Sequence, residues 1–240
     1  MLSGENRRTF LSALLLAGGS AAAFAESYRH ADATSPEGGV DALFVHIQQQ
    51  LSTALRTGAA RGGLSAEDVA AAAASMRVCA AHARGLNLDA VAREALDRRL
   101  ASTGRDALIT TTPDLSPVQQ RLQRKGLILS DRLRRDVAVA GRDARGAALD
   151  AIRDGRSSVI CDRLAEALEV AAPRLAARRG PVRRVAAADE WWCNFYLGQW
   201  SMHLALAWSL AALEEQSLQD FIDAVWAGFV FYEGLYTSQC

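Results

Sequence analysis

DEWWCNFYLGQWSMHLALAWSLAALEEQSLQDFIDAVWAGFVFYEGLYTSQC, residues Asp189 to Cys240, decides the fold. It holds all 5 tryptophans of the 240-residue chain and neither lysine nor arginine. Trp192, Tyr196, Trp200, Leu204 and Trp208 recur at every fourth place, which lays one apolar ridge along a helix. Glu214-Glu215-Gln216-Ser217 makes a polar turn. Beyond it, Phe221, Val225, Phe229 and Tyr232 place a second apolar helix over residues 218–236. The pair reads as an antiparallel, aromatic-rich helical hairpin and as the expected core.

Upstream, the same periodicity continues without strand-like alternation. Leu43, Phe44, Ile47, Leu51 and Leu55 share a helical face over residues 40–57, closed by Gly58 and then Gly62-Gly63. Ser65 followed by Glu67-Asp68 caps a helix over 66–84, and Asn87 caps another that ends near Ser102. Thr110-Thr111-Thr112-Pro113 and Ser116-Pro117 break the pattern, so an internal boundary is expected near 104–117, with Pro117 in the first turn of the next helix. Residues 129–154 form a long arginine-rich amphipathic stretch, in which Gly141 and Gly146 each cost about 1 kcal/mol relative to alanine. A further helix runs from Ser157 to about Ala171, where Pro173 works against its continuation. The fold expected is all-α, an irregular bundle of about six to eight helices ending in the aromatic hairpin.

The N-terminus reads differently. Asn6-Arg7-Arg8-Thr9-Phe10-Leu11 precedes an apolar run from Ala13 to Ala25, and Ala23-Phe24-Ala25 has the small-x-small form of a cleavage site. The paired Arg7 and Arg8 with Phe10 and Leu11 resemble the twin-arginine class of bacterial signal peptides; a general secretory leader has the same overall layout. The resemblance covers only this segment, and it implies an exported protein of the periplasm or the exterior of a bacterium. Residues 1–25 are then a signal peptide, 26–39 a flexible tether rich in small and polar residues, and 40–240 a single helical domain.

Net charge is +0, so no global field points to nucleic acid or membrane. Arginine nonetheless dominates from Arg56 to Arg184, and every formal charge after Arg184 is acidic, so the two parts are expected to attract each other. Basic residues do not interleave with aromatic ones, which weighs against nucleic-acid binding. Residues 194–213 are an uncharged run long enough to span a bilayer, but Gln199 and His203 within it, and Asp223 and Glu233 beyond it, oppose spanning.

An exported chain with Cys79, Cys161, Cys193 and Cys240 has three ways to form two disulfides. The hairpin turn lies about 22 residues after Cys193 and about 25 before Cys240, which brings both to its open end at 1.5 Å per residue. This favours Cys193 with Cys240, a bridge worth on the order of 4 kcal/mol. Cys79 with Cys161 follows by elimination, and four buried free thiols are the open alternative. Cys79 and His82 stand three apart on a helix, a spacing that fits a metal but lacks a second ligand pair.

His203, Asp223 and Glu233 are the candidates for a cofactor or ligand site, because carboxylates on an apolar helix need a partner or a raised pKa. The alternative is that the carboxylates sit at a solvated edge or take an arginine of the basic helices, and that His203 is a packed core residue. Glycine loops for nucleotides and the motifs of serine nucleophiles are absent from the chain. The expectation is therefore a non-catalytic envelope protein that binds a protein partner or forms a homo-oligomer. Two other readings stay open: a periplasmic enzyme or cofactor carrier exported folded, and a membrane-associated protein anchored by the hairpin.

Overall fold

The computed structural model describes residues 41–111, 114–177 and 191–239, excepting the side chains of 191–200 and 238–239. Among them are ten α-helices and no strand. They are α1 (Ala42–Arg61), α2 (Ala66–Gly85), α3 (Leu88–Thr103), α4 (Arg105–Thr110), α5 (Ser116–Gln123), α6 (Asp131–Val139), α7 (Arg142–Arg153), α8 (Val159–Ala177), α9 (Trp191–Ala212) and α10 (Gln219–Gln239), with a 3₁₀ turn at Gln216–Leu218. The signal-like residues Arg7, Arg8, Phe10, Leu11, Ala23 and Ala25, and the tether, lie outside the described residues.

The bundle is organised around α10. Every residue from Phe221 to Glu233 is buried, on all faces of the helix. A helix apolar all round is stable only when covered on every side. Here α1, α2, α5, α8 and α9 supply the cover. Trp226, Phe229, Phe231 and Tyr232 lie fully inside, and each such side chain contributes about 1.5–3 kcal/mol by leaving water. Phe221 meets Phe44 of α1 at a ring separation of 5.6 Å, and Trp226 meets Phe229 at 5.7 Å. At Gly228 a Cβ would stand 2.7 Å from Met76 Sδ and 3.0 Å from Leu164 Cδ1, so the missing side chain lets α10 lie directly on α2 and α8.

The hairpin expected from α9 and α10 is looser than its sequence implies. The two helices touch, but α9 makes its largest contact with α7, and α10 makes its largest with α1. Each apolar helix has more surface than one neighbour covers, so the legs take separate partners. Among the described residues the most extensive helix contact is that of α2 with α8.

Both helices beyond the expected count have local causes. The stretch 129–154 divides at Ala140-Gly141, where Ala140 takes ψ 116 and Gly141 ψ 164, giving α6 and α7; Gly146 stays helical. The short α4 fills the segment after Gly104, whose φ of 82 ends α3. Two breakers proved weaker than expected. α1 runs through Gly58 to Arg61 and stops at Gly62, whose φ of 86 turns the chain so that the Gly63 N–H reaches back to the Gly58 carbonyl at 2.8 Å. α8 runs through Pro173 to Ala177, with Ala171 and Ala172 buried and Leu175 packed on the core to hold the last turn. The capping box at Ser65 forms as expected: its Oγ accepts from the Asp68 N–H, and Asp68 accepts from the Ser65 N–H.

The attraction between the arginine-rich segment and the acidic C-terminal part is realised in Arg98–Glu215, Arg99–Glu214 and Arg121–Asp223. A further cation is held by carbonyls. Arg145 of α7 is buried and donates to the carbonyls of Ile109, Thr111 and Ala138 at 3.0, 3.3 and 3.1 Å, with its guanidinium 4.9 Å from the Trp208 ring centre. Those carbonyls close α4 and α6, where the negative end of a helix dipole favours a cation. Burial still pulls the Arg145 pKa down. No described helix is long and apolar enough to cross a membrane.

Candidate functional site

A set of hydrogen-bonded polar side chains surrounds the start of α10. Three of the segments contribute residues at three- or four-residue spacing, which puts each pair on one face. α10 supplies Asp220 and Asp223, α1 supplies Gln48 and Ser52, α2 supplies His82 in its last turn, and α5 with its following turn supplies Arg121 and Lys125. Asp41, the residue before α1, completes the set as its N-cap.

Their hydrogen bonds form two sets, the Arg121–Asp223 pair and a chain that runs from Ser52 and Lys125 through Gln48 and Asp220 to Asp41 and His82. Arg121 Nε donates to both oxygens of Asp223, at 3.0 and 2.9 Å. Asp223 is only 1 % exposed, so this pair is buried at the carboxylate end. Lys125 Nζ donates to Gln48 Oε1, and Gln48 Nε2 donates to the Asp220 carbonyl at 3.0 Å. The Asp41 N–H donates to Asp220 Oδ2 at 3.0 Å. Asp41 Oδ1 accepts from the Leu43 N–H at 2.9 Å, while its Oδ2 meets His82 Nε2 at 2.8 Å. Ser52 Oγ donates to the Lys125 carbonyl at 2.6 Å. Four helices remote in sequence are thereby joined through one polar seam.

Charge states divide by environment. Burial raises the pKa of Asp220 and of Asp223, against the opposing pull of the Asp41 N–H and Lys125 on the first, and of Arg121 and Lys125 on the second. Burial acts the same way on Asp41, but the hydrogen bond and charge of His82, with the N–H groups of Leu43 and Phe44, outweigh it and hold Asp41 below the ordinary carboxylate value.

The three sequence candidates do not form one site. Glu233 lies ten residues after Asp223, about 15 Å farther along α10. There it accepts from Ser130 Oγ, and that hydroxyl in turn accepts from the Leu133 N–H at 3.0 Å and caps α6. Burial raises the Glu233 pKa, with Ser130 and the Arg132 charge opposing. His203 is buried on α9. Among the described residues no group of three or more His, Cys, Asp and Glu side chains is placed to hold a metal. Cys79 and His82, three apart on α2, diverge, since His82 turns to Asp41 and Cys79 to Cys161.

Cys79 on α2 and Cys161 on α8 are fully buried free thiols with their Sγ atoms 3.1 Å apart. The two sulfurs of the expected pair are in contact without a bond between them. Burial, with Cys79 beside it, pushes the Cys161 thiol well above the usual range. Around them Arg77 pairs with Glu169 and Asp162, and Arg84 pairs with Asp162. Cys193 and Cys240 lie outside the described side chains.

Two solvent-open clefts stand apart from both features. One of about 610 Å³, between α4 and α7, is lined by Arg105, Asp106, Ile109, Arg142, Asp143 and Asp150. Another of about 390 Å³, between α5 and α6, is lined by Asp114, Ser116, Gln119, Gln120, Arg134 and Val137. Arg105 closes on Asp150 at 3.0 Å across the first, and Gln119 Oε1 accepts from the Leu129 N–H at 2.9 Å beside the second.

Asp41, Gln48, Arg121, Lys125 and Asp220 were not singled out from sequence. Asp41 carried a readable signal, an acid immediately before an apolar helical run. The others carried only their spacing, which is shared by many solvated pairs. No protein-family model, curated protein or solved structure matches the chain.

Proposed function

We propose that the protein is an exported, non-catalytic helical protein of the bacterial cell envelope that binds a protein partner or assembles with copies of itself. Residues 1–25 act as a leader of the twin-arginine type, 26–39 as a tether, and 40–240 as one helical domain with α9 and α10 as its aromatic inner wall. Cys193 with Cys240, and Cys79 with Cys161 where an oxidant reaches them before the fold closes, are the cysteine pairs that would join in an oxidising compartment.

The observation that carries the non-catalytic part is the mutual engagement of the buried charges. Asp223 is held on both oxygens by Arg121, Asp220 by the Asp41 N–H, Asp41 by His82, and Glu233 by Ser130. Groups so engaged work as ties between helices, whereas acid–base or ligand chemistry needs such groups facing a cleft.

The test is to express the full chain in a bacterium, fractionate the cells and sequence the N-terminus of the purified protein. Glu26 at the N-terminus of envelope-fraction protein is the expected result; an uncleaved chain confined to the cytoplasm refutes export. Visible absorption, metal analysis and light scattering on the same sample decide the rest. A bound chromophore or a stoichiometric metal refutes the non-catalytic reading, and resistance to carbonate extraction would instead point to anchoring by the aromatic helices.

A further inference from the structure

We infer that Cys79 and Cys161 form a fold-gated redox pair: they can be joined only before α2 and α8 close, and the folded chain keeps whichever state it carried at closure. Both sulfurs are 0 % exposed and 3.1 Å apart, at the most extensive helix contact among the described residues. Side chains one turn from each cysteine pack on the central helix. Met76, three residues before Cys79, and Leu164, three after Cys161, are the two side chains on which Gly228 of α10 rests, with its missing Cβ 2.7 and 3.0 Å from them. Arg77 and Arg84, bound to Asp162 and Glu169, fasten α2 to α8 on either side of Cys79.

The chemistry needs more room than the folded state provides. A disulfide oxidant, such as oxidised glutathione or a dithiol oxidoreductase in its disulfide form, is attacked by one cysteine thiolate, giving a mixed disulfide and releasing one thiol of the oxidant. The second cysteine thiolate then attacks the protein sulfur of that mixed disulfide and releases the oxidant's other thiol. Two electrons pass to the oxidant, and the two protons given up by the cysteines end on its thiols. The mixed disulfide would hold a foreign group at sulfurs that are 0 % exposed, inside a close-packed contact between α2 and α8 that leaves no room for it. The protein sulfurs themselves are already close, since closing from 3.1 Å to a bond of about 2.05 Å takes roughly 1 Å of movement.

Resting on the export reading, this deepens it. A leader that passes the chain unfolded exposes the thiols to the oxidising side before closure and delivers the disulfide. A leader that passes the chain folded delivers the closed dithiol made in a reducing compartment.

The experiment uses the wild-type chain with differential alkylation and peptide mass mapping, which reads Cys79 and Cys161 separately from Cys193 and Cys240. Reduced, folded protein and reduced protein refolding from urea are each held in oxidised glutathione. In the folded sample both thiols are expected to stay reduced and to alkylate at least about a hundredfold more slowly than in urea. The refolded sample is expected to yield the 79–161 linked peptide, lighter than the two thiol peptides by about 2 Da. Oxidation of the folded pair at the rate of the unfolded chain, or refolding that leaves both thiols free, overturns the inference. The same mapping on protein trapped in cells reads the export route. A leader-bearing chain found only in the cytoplasm would sink the export reading and leave the gating result intact.

Discussion

Replacing Arg121 by methionine leaves Asp223 in place with nothing to balance its charge. The carboxylate is 1 % exposed and takes both of its arginine bonds from one Nε, at 3.0 and 2.9 Å. Breaking a buried pair in this way costs about 3–5 kcal/mol, and the 23 % exposure of the Arg121 side chain puts this case at the lower end, near 3 kcal/mol. For a domain of this size that lowers Tm by roughly 6–12 °C. The pH dependence identifies the cause. Burial already raises the Asp223 pKa, and loss of Arg121 raises it further, so the folded state binds this proton more readily than the unfolded one. Such a group contributes stability that is complete below its unfolded pKa and lost as pH rises through its folded pKa. Arg121→Met is therefore expected to lie nearest to wild type in acid and farthest from it at neutral pH, measured by urea denaturation across that range. A second variant, Arg121→Met with Asp223→Leu, should recover most of the loss because no charge is left buried. A loss below about 0.5 kcal/mol, or one that does not change with pH, refutes the argument that this pair ties α5 to the central helix.

Asp41→Asn keeps a helix-capping side chain but loses the charge that meets His82, so a loss of about 1 kcal/mol is expected at neutral pH. Because the Asp41 pKa is lowered, its contribution is present above 3.8 and lost as pH falls through the folded value, so the variant and wild type should converge below pH 3.8; a constant gap in acid denaturation contradicts this. Gly228→Ala drives a Cβ into Met76 and Leu164, a cost of about 1–3 kcal/mol set against about 1 kcal/mol of helix propensity, and adding Met76→Ala should relieve the clash in a double-mutant cycle. Arg145→Lys gives up the planar fork that reaches three carbonyls and should cost about 2 kcal/mol in thermal unfolding; retention of full stability would show that the charge alone suffices there.

The helical class was legible because apolar residues such as Leu43, Ile47 and Leu51 recur at one-turn spacing, a signal that survives any tertiary arrangement. The role of α10 was less legible. Its residues Phe221 to Glu233 announced burial, but which helices would cover them depends on contacts between segments far apart in sequence. For the same reason the expected hairpin contact proved minor beside the contacts of α9 with α7 and of α10 with α1. Gly58 and Pro173 acted as weaker breakers than their types imply, since packing of neighbouring turns against the core offset a local cost of one to three kcal/mol, roughly, in each helix. At the site, the arginine partner expected for Asp223 is present, and the meeting of Cys79 with Cys161 followed from elimination alone. The seam of Asp41, Gln48, His82, Lys125 and Asp220 stayed hidden because its members come from four helices and none belongs to a motif.

Native-state hydrogen exchange tests the central claim most directly, that the molecule is built around α10 and that its buried charges are ties. Amides of residues 221–235 are expected to exchange only through global unfolding, with the highest protection in the chain, and Arg121→Met should lower that protection by the same free energy that it removes from unfolding. Exchange of α10 through local opening, at rates like those of the short peripheral helix α4, would contradict the account.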